Sequence, residues 1–122
     1  MTDWWASSRL GQVLLQLEEP KLALAAYEDA MSDGASDIDT RLGHAEALVD
    51  LERSDAALKE LEPILLDGGA DAFLLCAAAA QQMQRRVEAE LFLDRAYKMA
   101  RQHLRAPFRL QRLNMLISTA AA

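Results

Sequence analysis

Leu10-Gly11-Gln12-Val13-Leu14-Leu15-Gln16-Leu17-Glu18-Glu19-Pro20-Lys21-Leu22-Ala23-Leu24-Ala25-Ala26-Tyr27-Glu28-Asp29-Ala30 is the stretch that decides the fold. Its apolar residues Leu10, Val13, Leu14 and Leu17 keep the 3.6-residue period of a helix face. Glu18-Glu19-Pro20 breaks that period. Pro20 suits the first turn of a new helix, where its missing N–H would have had no partner anyway. A second apolar set, Leu22, Ala23, Ala26, Tyr27 and Ala30, then runs to a stop at Ser32-Asp33-Gly34. The stretch therefore predicts two helices folded back on each other.

Working outward, the pattern returns. Gly11, Leu14, Leu17, Ala23, Tyr27 and Ala30, shifted by 34, become Ala45, Leu48, Leu51, Ala57, Leu61 and Ile64. A further shift of 32 gives Ala77, Ala80, Met83, Ala89, Leu93 and Ala96. Small residues fall on small residues except at Ile64, and large ones mostly on large ones. One hairpin cannot bury its own apolar face, so three at nearly constant spacing predict a stack. The expected units span residues 4–37, 38–69 and 70–103 of a single domain covering 1–122. A last helix is expected over 107–118, behind Pro107. Gly11, Ala45 and Ala77 are expected to face Ala23, Ala57 and Ala89, so that paired helices approach closely.

Local signals mark the joints. Ser36 with Asp39 reads as a capping pair opening the second unit, and Ser54 as the cap of its second helix. Asp67-Gly68-Gly69 should close that unit and Asp71 should open the third. Gln84-Arg85-Arg86 is the third turn, without Gly or Pro.

Composition agrees with an all-α class. Half the chain (52%) is apolar, mostly Ala and Leu, and only 6% is aromatic, which favours helix over sheet. A single cysteine, Cys76, excludes an internal disulfide, and a reducing, cytoplasmic setting is expected. The acidic, aromatic start Met1-Thr2-Asp3-Trp4-Trp5 differs from a secretory signal, and no membrane span is expected. The net charge of −6 is unevenly spread. Residues 1–84 carry 16 acidic and 5 basic side chains, and residues 85–122 carry 3 acidic and 8 basic. This polarity favours oriented association with a charged partner or with another copy, and disfavours nucleic acid.

The repeat resembles the tetratricopeptide family. Leu10-Gly11, Leu14, Ala23, Tyr27 and Ala30 match its signature directly. The second unit departs with His44-Ala45 and Leu61, and the third with Cys76-Ala77, Ala80 and Leu93. The family's turn proline after the second helix is missing from all three. The likeness covers about residues 4–103. It implies an α-solenoid of three antiparallel helical hairpins with a C-terminal capping helix, and protein binding without catalysis.

In this family the first helices line a groove. Carried over, that surface is Trp5, Ser8, Gln12, Leu15 and Gln16, then Asp39, Leu42, Glu46, Val49 and Asp50, then Asp71, Leu74, Ala78, Gln81 and Gln82. It holds four carboxylates and no Lys or Arg. A chaperone's C-terminal carboxylate would lack cationic partners there. A helical or extended protein segment with basic residues beside apolar anchors is the expected partner, with Trp5 and Leu15 as hot spots. The size and three-hairpin plan are similar to the small chaperones of specialised secretion systems. The alternative is an assembly module that self-associates as a homo-oligomer through the last helix, at Phe108, Leu113, Leu116 and Ile117. Arg101, Arg105, Arg109 and Arg112 form a basic stripe in that region.

No catalytic, cofactor or metal site is expected. His44 and His103 lie far apart in the repeat, and one cysteine cannot complete a zinc set. No phosphate loop or nucleophile motif is present. His44 reads as a packed side chain and Cys76 as a buried, inert thiol.

Overall fold

The computed structural model describes residues 4–102 and is all-α, with no strand among the described residues. Helix α1 is Trp4–Gln16 and α2 is Pro20–Ser32. Helix α3 is Ile38–Asp50 and α4 is Ser54–Leu61, which runs through a short 3-10 turn, Glu62–Ile64, into α5. Helix α5 is Leu65–Gln82 and α6 is Arg86–Gln102. Each helix packs on the next, and α3 also packs on both α1 and α5. The architecture is repeat-like, with α3 adjacent to both α1 and α5. The expected last helix, 107–118, lies outside the described residues.

The turns inside the three hairpins are alike in backbone. Among the described residues, Glu18, Glu52 and Gln84 are the non-glycine residues with positive φ (59°, 59° and 61°). They stand 34 and then 32 residues apart, the two shifts of the repeat. After each, the chain reaches back to close the preceding helix: Glu19 N–H to Leu14 O, Arg53 to Leu48 and Arg85 to Ala80, at 2.8–2.9 Å. This is a helix stop of the kind that usually employs Gly. Between hairpins the glycines do serve. Gly34 has φ 106° after α2, and Gly69 (φ 61°, ψ −143°) breaks the helical path within α5.

Pro20 opens α2 as expected. Two caps differ from the sequence expectation. Asp37, not Ser36, is the N-cap of α3: its Oδ2 accepts the Thr40 N–H at 3.1 Å and its Oδ1 accepts the Thr40 hydroxyl at 2.7 Å. The carboxylate meets the two donors with a separate oxygen for each, where a serine has a single oxygen. Ser54 is the first residue of α4 and makes no cap, since its hydroxyl donates to Gln82 Oε1.

The core centres on α5. Residues 72–80 are buried in an unbroken run, the mark of a helix covered on all sides. The span Ser54–Gln82 has the length and a mean hydropathy of 1.5 that a membrane span would show. It is interrupted at Gly69, and its buried run packs inside the protein. Ala23, Ala57 and Ala89 are buried, as are Ala45 and Ala77, in keeping with close helix approach.

Tyr27 is the wedge of the first two hairpins. It is 1% exposed and fits where two glycines leave room. A Cβ on Gly11 would stand 2.8 Å from its ring, and one on Gly43 would overlap it outright. Gly43→Ala is therefore expected to destabilise the protein by about 1–3 kcal/mol through overpacking, despite the better helix propensity of alanine. The urea midpoint measures it, and the change should shrink when Tyr27→Leu is combined with it.

Candidate functional site

The structure sorts the expected groove residues by accessibility. Trp5, Gln12, Gln16, Asp39 and Gln82 are exposed, and Ser8, Asp50, Asp71 and Gln81 are half-buried. Leu15, Leu42, Glu46, Val49, Leu74 and Ala78 are buried. The cause is the packing of α3 between α1 and α5, which leaves the middle helix little free face. The Ser8 and Thr40 hydroxyls share a hydrogen bond of 2.7 Å across that packing. Trp5 is 58% exposed, with the Arg9 guanidinium 5.1 Å from its ring centre. Phe108, Leu113, Leu116 and Ile117 lie outside the described residues, as do Arg105, Arg109, Arg112 and His103.

The expected residues reach two open clefts, Leu74 in one and Val49, Asp50 and Gln82 in the other. Leu74 of α5 contributes to a cleft of about 450 Å³ whose other lining side chains, among the described residues, belong to α6: Glu90, Leu93, Asp94, Ala96, Tyr97 and Ala100. The α6 residues follow helical spacing (90, 93, 94, 97), so one face of the helix supplies them. Leu93 and Ala100 are half-buried, Ala96 is buried, and Tyr97 is exposed at the mouth. Phe92, tilted against Phe73 with ring centres 6.3 Å apart, helps hold α6 on α5. Two carboxylates stand on the rim. Asp94 also meets Lys98 at 3.0 Å in an exposed pair, a contact of small worth, and Glu90 is exposed beside it. The sequence signal for this face was present at Leu93 and Tyr97. Leu93 enters the repeat only as a packing position, and Tyr97 has no place in the repeat pattern, so neither marked a surface.

A second cleft of about 420 Å³ lies at the hairpin turns, among Glu18, Pro20, Val49, Asp50, Leu51, Glu52 and Gln82. Gln82 joins the second and third hairpins there. Its amide donates to Val49 O at 2.8 Å while its carbonyl accepts from Ser54.

His44 bridges three helices. Its Nδ1 lies 2.5 Å from Glu60 Oε2 on α4, and its Nε2 lies 3.4 Å from Glu28 Oε2 on α2. His44 and Glu60 are mostly buried, whereas Glu28 is largely exposed. Glu60 Oε1 is buried with no hydrogen-bond partner, so the carboxylate depends on its imidazole contact. Burial draws His44 toward the neutral form. The hydrogen bond and charge of Glu60, followed by those of Glu28, outweigh it and hold the pKa above 6.5. The two carboxylates approach opposite ring nitrogens, leaving neither free for a metal. Among the described residues, no group of His, Cys, Asp and Glu is arranged to hold a metal ion. Cys76 is buried, and desolvation pushes its thiol up to about 12.

No protein-family model matches the chain, and no curated protein or solved structure matches it either.

The His44 bridge carries a pH dependence of definite sign. A folded pKa above the unfolded value means that the stabilisation is full below pH 6.5 and fades as pH rises through the folded pKa. The urea midpoint of the native chain should therefore fall between mildly acidic and mildly basic buffer. In His44→Gln that part of the slope should be absent.

Proposed function

We propose that the chain is a non-enzymatic protein-binding module, a scaffold or chaperone that holds an apolar helical or extended segment of a partner protein bearing Lys or Arg. The observation that carries this reading is the α5–α6 groove. Its apolar floor is Leu74, Leu93, Ala96 and Ala100, its mouth is Tyr97, and its rim carboxylates are Glu90 and Asp94. An aliphatic or aromatic anchor entering it would shed water, while a neighbouring cation would meet Glu90. A tyrosine at the mouth supplies large contact area at low entropic cost, with its hydroxyl still reaching water. The exposed first-helix residues Trp5, Gln12 and Asp39 would extend the contact surface, and their lack of Lys or Arg suits the same partner chemistry.

Within this reading the hairpins are degenerate tetratricopeptide-type repeats. The likeness of the turns at Glu18, Glu52 and Gln84 supports it. The residues of the signature itself, Leu10-Gly11, Ala23 and Tyr27, carry the family assignment.

Fluorescence anisotropy with two synthetic amphipathic peptides tests the proposal. Both would carry Leu and Phe anchors, one with Lys and Arg at the flanking positions and one with Glu there. The basic peptide should bind, more weakly as salt rises. Glu90→Lys combined with Tyr97→Ala should weaken it about tenfold or more, a loss of roughly 1.4 kcal/mol. Equal binding of both peptides, or binding indifferent to the double substitution, would remove the groove from consideration.

A further inference from the structure

The repeat allows each hairpin to be compared with its neighbours position by position. Ala6, Leu10, Val13 and Leu17 of α1 correspond to Thr40, His44, Ala47 and Leu51 of the second hairpin, and to Ala72, Cys76, Ala79 and Met83 of the third. In the second and third hairpins these positions form the joint with the hairpin before. Thr40 shares its hydrogen bond with Ser8 of α1, and His44 meets Glu28 of α2. Thr40, Ala47, Ala72, Cys76 and Ala79 are all buried, at 2% exposure or less, and Leu51 and Met83 are half-buried. In the first hairpin the same stripe is open. Leu10 is 54% exposed, Val13 48% and Leu17 66%.

These are not the side chains of a solvated edge. A stack that ends in water needs a polar outer face, yet this stripe has no charged or amide member. Its spacing of four, three and four residues is that of a helix seam that packs against another helix. The spacing also reads the same in both directions. Laid antiparallel on a copy of itself, Leu10 falls opposite Val13 and Ala6 opposite Leu17, so every seam residue meets a seam residue. A two-fold pairing of identical surfaces asks for this self-complementarity.

Charge decides against the other arrangement between copies. Continuing the stack head to tail would set the outer face of α6 against α1. The α2 residues Leu24 and Glu28 correspond to Glu90 and Asp94 on α6. In the first joint, Glu28 meets His44; in a head-to-tail joint, Asp94 would meet Leu10, the counterpart of His44. Lys98 already pairs with Asp94 at 3.0 Å, and Glu90 would be desolvated against aliphatic side chains with no cation in the α1 seam to meet it, which is unfavourable.

We propose that the exposed α1 seam, Ala6-Leu10-Val13-Leu17, is a self-association surface on which two copies of this chain pair antiparallel about a two-fold axis. The α5–α6 groove lies on the last hairpin and stays open in such a pair, so this surface is separate from the partner-binding site.

Sedimentation velocity on the full chain over a hundredfold concentration range tests it. The expected result is a reversible monomer–dimer equilibrium that persists at high salt, as an apolar seam requires. Leu10→Glu and Val13→Glu should each give monomer throughout with unchanged helical circular dichroism, because both side chains are exposed in one copy. A second measurement does not depend on those variants. Leu10→Cys mixed with Val13→Cys under mild oxidation should cross-link one with the other in preference to either with itself. Three results would overturn the proposal: a monomer at every concentration, an oligomer abolished by Glu90→Lys but not by Leu10→Glu, or cross-linking without the Leu10–Val13 preference.

Discussion

The insertion of Tyr27 between Gly11 and Gly43 is the contact on which the rest of the arrangement depends. A phenol ring can sit at 1% exposure there because two helices, α1 and α3, both lack a side chain where it lies. The ring belongs to α2, so one residue fixes the separation within the first hairpin and between the first hairpin and the second. The other joints are built from smaller pieces. Leu61 occupies the corresponding place in the second hairpin and is fully buried, in the same core cluster as the alanines of α5. Leu93, at the last of the three positions, is half-buried and lines a groove.

Much of the helical layout was legible because it rests on backbone-scale signals. The 3.6 period marks the packed face of each helix, Pro20 fixes φ at a helix start and Gly34 permits the positive φ that ends one, so the helix limits follow from them. Where several side chains compete for the same N–H groups, legibility ended. Ser36, Asp37 and Asp39 are all capable caps, and only geometry selects Asp37. The role of Gly43 was hidden for a related reason. The repeat sets His44-Ala45 against Leu10-Gly11, and the glycine one residue earlier has no counterpart in the pattern.

The candidate site was less legible than the fold. A family's surface positions can be carried over by register, but burial is set by neighbours, which register does not encode. Leu42, Glu46 and Val49 are covered because α3 has helices on both sides. The α1 seam shows the converse: Leu10, Val13 and Leu17 keep core chemistry yet stay exposed among the described residues. A helical period alone cannot tell an apolar stripe that meets its own chain from one that does not.

Cys76 offers a way of watching the joint between the second and third hairpins. The thiol is buried there and held near a pKa of about 12 by desolvation, so in the closed state almost no thiolate exists to react. An alkylating reagent can modify it only during excursions in which α5 separates from the hairpin before it. Its modification rate is then a clock for that separation alone, and it can run faster than global unfolding if the hairpins detach singly. As the chain's single cysteine, it needs no other thiol removed before that kinetic signal can be read.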